Sequence, residues 1–464
     1  QWELKNYFNQ LYTKEKYTWG IRSYIRYTHC PASLTVAHRN LPILFADNML
    51  IADCIYHRNE LSSSDNISEN TYRTVIGQTH ESILAEYEEM NTGNAYTDNA
   101  LYGMRKINGV NYQLTGGFCG ELSSVKQENA YSAHSYSFYT VPRIEWERKD
   151  FLFTAATTVR WSHLPKQSYS RFCVSPFFCF RYKFTPRWKM SLLGSLDESE
   201  GGLKDIYPFR YREDYRTVVK HTGKVPVTVR QLYTCYLEYK NTIKEFFWTL
   251  SASYSHNRYN LITERNYKDG NFYLSSVERN HSSHSYTLNT IGSKGIYDWN
   301  LKTSLELTLA RNKGKQLNED IVQDYRYDYL CVEPKIVWAP SVFFEAEYKA
   351  TVSCVGGGIG EDTRLDPLWE VAQRLTLSLE FHDTEFCSSG EHFYNDLSKN
   401  QHLNTWLADV SLIHKAGKWR FAASAINLFN KEQYRYTLYS AVQSYTSWIK
   451  LRPREFMVSV QYQW

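Results

Sequence analysis

The sequence predicts an all-β fold, a large transmembrane antiparallel up-and-down β-barrel of about 18 to 22 strands. Three observations support this: apolar and polar residues alternate, short and long connections alternate, and aromatic residues are abundant. Aromatic residues make up 16% of the 464 residues, with 38 Tyr and 13 Trp. These amphipathic rings concentrate at membrane–water interfaces. The mean hydropathy of −0.53 agrees with a barrel, because a transmembrane strand exposes only alternate residues to lipid.

The alternation is clearest in the last predicted strand. Phe456, Val458, Val460, Tyr462 and Trp464 fall on one face, and polar residues occupy most positions between them. A period of two places successive side chains on opposite faces of a strand. The same pattern recurs in segments 172–184, 246–254, 299–309, 342–352 and 405–412.

The face opposite the apolar one carries charged residues in mid-strand. In a barrel this face lines the lumen. The lumen-facing candidates are Arg181, Lys183, Lys302, Glu306, Glu345, Glu347, Lys349, Arg374, Glu380 and Asp409. We expect them to meet the polar groups of a plug in a filled barrel, or to tune conductance in an open one.

The predicted connections alternate in length along the chain. Tight turns are predicted at 147–150, 184–187, 241–244, 297–298, 339–341 and 415–418, and long polar loops at 194–226, 256–284, 312–324, 355–367 and 430–453. Outer-membrane barrels have short periplasmic turns and longer external loops. An array of soluble β-sandwiches, the alternative fold, has no reason to keep its long loops at one end.

A single barrel domain is predicted over residues 1–464. The hairpins are clear over residues 135–464. Residues 1–134 combine less certain strands, at 19–27, 49–56 and 111–122, with long loops. The best helical candidate is 74–90, although its periodicity is ambiguous. Three similar hairpins carry Pro142, Pro176 and Pro334, which suggests a repeated bulge, because proline cannot donate a ladder hydrogen bond.

Several function classes find no support in the sequence. The net charge of +4 is spread without a basic block, which gives no reason to expect nucleic-acid binding. No catalytic, cofactor or metal site is predicted, and the chain is not expected to be an enzyme. The nine cysteines contain no C-x-x-C pattern. Cys173 and Cys179 would lie roughly 20 Å apart on one strand and could not form a disulfide with each other.

The last 60 or so residues carry two spaced motifs. The first comprises Asn427, Leu428, Phe429 and Asn430 with Tyr434, and the second comprises Leu451, Arg452, Pro453 and Arg454 before the terminal aromatic strand. This arrangement resembles the C-terminal end of TonB-dependent outer-membrane receptors of the Bacteroidetes type. Asn427 and Asn430 are expected to cap the strand-to-loop turn, since Asn suits turns.

The resemblance implies a nutrient-uptake barrel in the bacterial outer membrane, with an iron chelate, cobalamin, a glycan or a peptide as cargo. It implies lipopolysaccharide and the barrel-assembly machinery as partners, together with a plug domain, TonB and a surface lipoprotein. The assembly machinery would recognise the alternating strand that ends at Trp464. No plug-like α/β segment or TonB box is visible in the sequence. Two alternatives stay open: a non-transporting barrel that serves as a scaffold or adhesion subunit, and a passive porin.

Overall fold

The structure is a computed structural model. It describes residues 2–14, 17–40, 54–60, 82–126, 130–213, 217–268, 271–360, 363–398, 401–439 and 444–463. Apart from three short 3₁₀ segments, at Pro165–Gln167, Leu203–Ile206 and Tyr297–Trp299, the regular structure described is β-strand.

Most strands of the first half of the chain run antiparallel to their neighbours in the sheet. The strands of this half are β1 (Trp2–Lys14), β2 (Tyr17–Asn40), β3 (Cys54–Glu60), β4 (Ser82–Ile107), β5 (Val110–Lys126), β6 (Ala130–Arg148), β7 (Phe151–Leu164), β8 (Tyr169–Lys183), β9 (Trp188–Glu200), β10 (Tyr211–Arg212), β11 (Thr217–Lys220) and β12 (Val227–Asn241).

The second half continues the same pattern. Its strands are β13 (Phe246–Lys268), β14 (Asn271–Ile296), β15 (Leu301–Asn318), β16 (Ile321–Ser341), β17 (Phe344–Ile359), β18 (Thr363–Phe381), β19 (Thr384–Ser398), β20 (Gln401–Ala416), β21 (Trp419–Ile426), β22 (Gln433–Tyr439), β23 (Ser444–Lys450) and β24 (Glu455–Tyr462).

These strands form one 22-stranded sheet and a separate β22–β23 hairpin. Three short strands, β3, β10 and β11, are additions near the end of the sheet opposite the predicted tight turns, and the others follow one another as antiparallel neighbours in chain order. The up-and-down antiparallel prediction is therefore confirmed, and the strand number lies within the predicted range. The predicted strands at 19–27 and 111–122 lie in β2 and β5.

The two edge strands run in the same direction. β1 ends at the short turn that leads into β2, and β24 ends beside Trp419, where the short turn into β21 finishes. Among the described residues these strands are not paired with each other, so the sheet is open there. If these two edge strands paired directly with each other, the pair would be parallel. An antiparallel barrel would close only with an odd number of further strands between them.

Five of the six predicted tight turns lie at observed strand-to-strand connections, and the sixth, 339–341, is the end of β16 just before the turn at 342–343. The long polar loops, in contrast, were mostly mispredicted. The 256–284 stretch is a hairpin whose ladder continues to Lys268 opposite Asn271, and 312–324 is a hairpin that pairs to Asn318 opposite Ile321. Polar side chains do not end a strand while the antiparallel ladder keeps its backbone groups hydrogen-bonded. Residues 433–450 likewise contain the β22–β23 hairpin.

Two smaller predictions were also wrong. The helical candidate at 74–90 is strand from Ser82 onward, and its first part lies outside the described residues. The expected proline bulges are missing: around Pro142 and Pro334 one ladder is interrupted, but the register is the same on both sides. Of the predicted strand at 49–56, residues 49–53 lie outside the description and the rest is in β3.

One face of the sheet is apolar and exposed, and aromatic rings border it at both ends. At the short-turn end rings pair as Trp188–Tyr239 (4.8 Å between centroids), Trp338–Phe344 (5.7 Å) and Trp419–Tyr462 (4.8 Å). Toward the opposite end of the strands they pair as Phe138–Trp161 (6.1 Å), Tyr233–Tyr254 (6.5 Å) and Tyr254–Tyr286 (5.0 Å). We call these the lower and upper aromatic rows.

Aliphatic side chains fill the band between the two rows. Leu305 is 51% exposed and Leu309 is 39% exposed, although both are in the middle of a large sheet. From Leu301 to Leu309 this band extends roughly 26 Å along β15, at about 3.3 Å per residue. The opposite face, called here the charged face, carries most of the ion pairs.

Candidate functional site

The strongest candidate site is a recess of about 460 Å³ on the charged face, lined mainly by the adjacent strands β15 to β19. Its lining includes six charged side chains, namely Glu306, Glu333, Lys335, Lys349, Arg374 and Glu391. Each comes from the polar phase of an alternating strand, so the same periodicity that makes the other face apolar produces the recess.

Charges of opposite sign are paired in and beside the recess, both across neighbouring strands and along β17. Lys335 Nζ lies 3.2 Å from a Glu347 carboxylate oxygen, and Lys349 Nζ lies 3.9 Å from the other oxygen. Arg374 lies 3.4 Å from Glu391. These side chains are partly exposed, so each pair contributes little stability, and its main effect is to fix the positions of polar groups.

Neutral donors complete the recess. The Asn289 amide donates to Glu306 at 2.7 Å, and the Thr351 hydroxyl donates to Glu333 at 3.1 Å. The resulting surface offers positive charges, negative charges and neutral hydrogen-bond donors. It suits contact with a polar peptide, a polar ligand or water better than selection of one ion type.

A second polar network lies on the charged face of the N-terminal strands. Arg22 donates to Asp98 at 3.1 Å and to the Tyr139 hydroxyl at 3.2 Å, and that hydroxyl donates to Asp98 at 2.7 Å. Three strands, β2, β4 and β6, are linked by this triad, which spans β5.

The connection from β9 to β12 folds back over the charged face. Ile206 and Val225 pack with Ala133 and Leu164, which belong to the charged-face phase of β6 and β7. Within this connection, burial, with Glu213 and Asp205 nearby, raises the pKa of Tyr211 to about 12. The Tyr211 hydroxyl forms a 3.4 Å hydrogen bond with Nε2 of His221.

The sequence-predicted charged positions fall into three groups. Glu306, Glu347, Lys349 and Arg374 come together in or beside the recess. Arg181, Lys183, Lys302, Glu345 and Glu380 lie closer to the short turns, away from it. Asp409 accepts a hydrogen bond from the Asn427 backbone N–H at 2.8 Å.

Sequence reasoning missed Glu333, Lys335 and Glu391. The first two follow the alternation of β16 next to Pro334. Glu391 lies in β19, which is not among the alternating segments predicted from the sequence. Alternation could have found all three, but their partners depend on strand register.

The C-terminal motif forms a hydrogen-bonded clamp. Asn427 is 6% exposed, and its amide donates to the carbonyls of Lys431 and Arg452, both at 2.8 Å, while its oxygen accepts from the Lys431 N–H at 2.9 Å. The Asn430 oxygen accepts from the Arg454 N–H at 2.9 Å. Both Asn residues have positive φ, 54° and 51°. The clamp joins the β21 turn to the segment that enters β24.

Other kinds of site find no support in the part of the chain that the structure describes. There, no group of three His, Cys, Asp or Glu residues could hold a metal ion. No helix of the described residues is long and apolar enough to span a membrane.

Comparisons with known proteins give weak similarities. No family model and no curated protein matches the sequence. Among solved structures, the ferric yersiniabactin uptake receptor FyuA from Yersinia pestis has a TM-score of 0.40 at 10% identity, covering 98% of this chain and 77% of that chain. The ferric enterobactin receptor PfeA, in complex with BCV-L6, has a TM-score of 0.16 at 8% identity, covering 93% and 81%. Similarity at this level identifies neither a family nor a cargo.

The chain's own geometry defines its class. It is an all-β protein with one large up-and-down antiparallel sheet, one exposed apolar face and one charged face.

Proposed function

We propose that this chain is the outer-membrane β-barrel of a TonB-dependent nutrient-uptake transporter. The observation that carries the proposal is the apolar face, an exposed aliphatic band between two aromatic rows. Transmembrane barrels present an outward apolar band about 25 Å tall between aromatic girdles. In water, so large an apolar surface would remain exposed at a considerable free-energy cost.

The uptake role rests on the C-terminal motifs. The hydrogen bonds of Asn427 and Asn430 join the two C-terminal motifs, because they hold the start of the last strand against the preceding turn. A large barrel has a wide lumen that must be filled or put to use. The mixed-sign recess on the charged face supports contact with a plug or a polar cargo.

The partners follow from this assignment. The barrel would lie in outer-membrane lipid with lipopolysaccharide, and the barrel-assembly machinery would recognise its terminal strand. A plug domain, TonB and a surface lipoprotein would act with it in transport. The cargo class, among iron chelates, cobalamin, glycans and peptides, is left to experiment.

Uptake by cells tests the proposal. The gene is deleted in its host, and uptake of radiolabelled ferric siderophores, cobalamin, oligosaccharides and peptides is measured with and without a protonophore. We expect the deletion to abolish uptake of at least one cargo, and the protonophore to do the same in the parent strain.

Other outcomes would support the alternatives and contradict the proposal. Flux that needs the protein but is unaffected by the protonophore indicates a passive porin. Unchanged uptake of every cargo, with the protein present in the outer membrane, indicates a scaffold or adhesion barrel.

A further inference from the structure

The connection between β9 and β12 is closed at its base and folds over the charged face of the sheet. Its two ends meet, because the Gly201 N–H donates to the Pro226 carbonyl oxygen at 2.7 Å. Its described parts, residues 201–213 and 217–226, include the 3₁₀ turn at Leu203–Ile206 and the short strands β10 and β11. We call these parts the interior strap. Because its base is pinched, its position depends on the contacts that it makes further along.

The first attachment of the interior strap is to the charged-face side chains of β6 and β7. Ile206 is 0% exposed and packs with Ala133 and Leu164, which are 1% and 3% exposed. The Tyr207 ring lies edge-on to the Tyr131 ring, with centroids 5.7 Å apart. Burial of these apolar side chains away from water favours the contact. The strap is therefore packed against the charged face at this point.

The second attachment is to the long hairpin of β13 and β14. β11 runs parallel to β14, with Thr217–Lys220 opposite Phe272–Ser275. The Asn260 side chain of β13 accepts from the Val227 N–H at 2.7 Å and donates to the Val225 carbonyl oxygen at 2.9 Å. Backbone groups of the strap are thus hydrogen-bonded to the sheet on this side as well.

Side chains reinforce the attachment to β14. Nδ1 of His221 lies 3.2 Å from the Ser276 hydroxyl, and the Arg210 guanidinium lies 5.8 Å from the centre of the Tyr273 ring. Both ring nitrogens of His221 are engaged, since Nε2 meets the Tyr211 hydroxyl. The strap is therefore held by polar contacts at one end and by apolar packing at the other.

The two attachments are far apart in the sheet. The strands from one to the other are neighbours in the order β7, β8, β9, β12, β13, β14. Five interstrand spacings of about 4.8 Å separate them by roughly 24 Å along the sheet. A segment that packs on the charged face at β6 and β7 and also reaches β14 passes over the charged-face side of the strands between them.

We propose that the interior strap narrows the lumen near the end opposite the tight turns and limits the size of the solutes that pass, independently of a plug. This inference rests on the proposed function, because the charged face encloses a lumen only in a closed barrel. A large barrel leaves an aqueous channel when nothing fills it. A layer of polypeptide about 10 Å thick across part of that channel reduces its open cross-section.

Single-channel conductance in planar bilayers tests the inference, with the full chain as the parent. In the first variant residues 203–224 are deleted, so that Gly202 and Val225 form a two-residue turn between β9 and β12. Gly201 and Pro226 are already hydrogen-bonded to each other, and glycine at the first turn position suits a type II′ hairpin. The deletion therefore removes most of the strap while the strand ladder can stay intact.

A second variant releases the strap without shortening the chain. Ile206→Asp places a charge in the buried apolar cluster, which is unfavourable unless the strap leaves the sheet. The matched control is Ile321→Asp at the tip of the β15–β16 hairpin, where the isoleucine is 61% exposed. The control adds the same charge in a different connection.

We expect each strap variant to raise the conductance about two-fold or more, because conductance increases with open cross-section and a layer about 10 Å thick is displaced. Ile321→Asp should leave the conductance at the parent value. Heat-modifiable gel migration checks that each variant is folded. If one strap variant does not fold, the other decides the result.

Two outcomes would overturn the inference. One is equal conductance of the parent and a folded strap variant. The other is no conductance by any of them, because the strap would then not be the element that limits passage.

The assay uses no cargo, TonB or energy source, so it is independent of the uptake experiment. Energy-dependent uptake together with an unchanged conductance would refute the interior strap alone. A raised conductance without energy-dependent uptake would contradict the transporter and support the strap in a passive barrel.

Discussion

At the scale of single residues, Leu305 and Ser304 are neighbours on β15 that belong to opposite faces of the sheet. Leu305 is 51% exposed in the middle of the aliphatic band, and Ser304 lines the recess with Glu306 and Glu333. In bilayers the first position would meet lipid and the second would meet water and carboxylates. The two positions therefore report separately on the environment of each face.

We expect Leu305→Arg to lower the free energy of unfolding in bilayers by roughly 2 to 4 kcal/mol, because a charge at the bilayer midplane is poorly solvated. The matched Ser304→Arg should cost less than about 1 kcal/mol, because its new charge lies among carboxylates. Urea titrations in lipid vesicles, followed by gel migration, measure both. Equal costs would argue against a lipid-exposed face.

Sequence alternation assigned the charged candidates to one phase of their strands, and the register brings that phase together on one face of the sheet. It could not predict partners such as Lys335 with Glu347. That pair depends on the β16–β17 register, which is shifted near the turn between Trp338 and Ser341. A shift of this kind arises from turn geometry and has no signature in side-chain alternation.

At the scale of elements, the long hairpins extend past the apolar band, and their sequences become polar there. β13 and β14 continue to Lys268 and Asn271, far beyond Tyr254 and Tyr286. Polarity thus indicated where the apolar face ends, but it did not indicate where the strands end. Once the ladder is established, each further pair satisfies its own backbone groups, so a polar extension remains a strand.

The C-terminal clamp gives the prediction at this scale. Asn427→Gly keeps the positive φ but removes three side-chain hydrogen bonds from a buried position. We expect the free energy of unfolding to fall by about 1 to 3 kcal/mol, because the Lys431 and Arg452 carbonyls and the Lys431 N–H lose the partner that the buried Asn427 side chain gives them. Asn430→Gly removes one hydrogen bond of the clamp at an exposed turn position, and we expect it to cost less than about 1 kcal/mol.

The same titrations in lipid vesicles measure this pair of variants. If neither Asn427→Gly nor Asn430→Gly lowers the free energy of unfolding, the clamp does not stabilise the last strand. The two C-terminal motifs, which resemble those of TonB-dependent receptors, would then need another explanation.

At the scale of the whole molecule, the two faces and the two edge strands determine what the sheet can become. A sheet whose β1 and β24 edges stay open would present unpaired backbone groups to lipid, which closed barrels avoid. The up-and-down order and the approximate strand number were predictable from alternation and turn spacing. The open edges and their shared direction were not, because they depend on the exact number of strands.

Polarised infrared spectroscopy of the full chain in oriented lipid bilayers tests the membrane-spanning barrel most directly. The account predicts an antiparallel β amide I band with strands tilted by about 35 to 45° from the bilayer normal. Strands lying in the membrane plane, or a protein that stays in the aqueous phase with its β-structure intact, would contradict it.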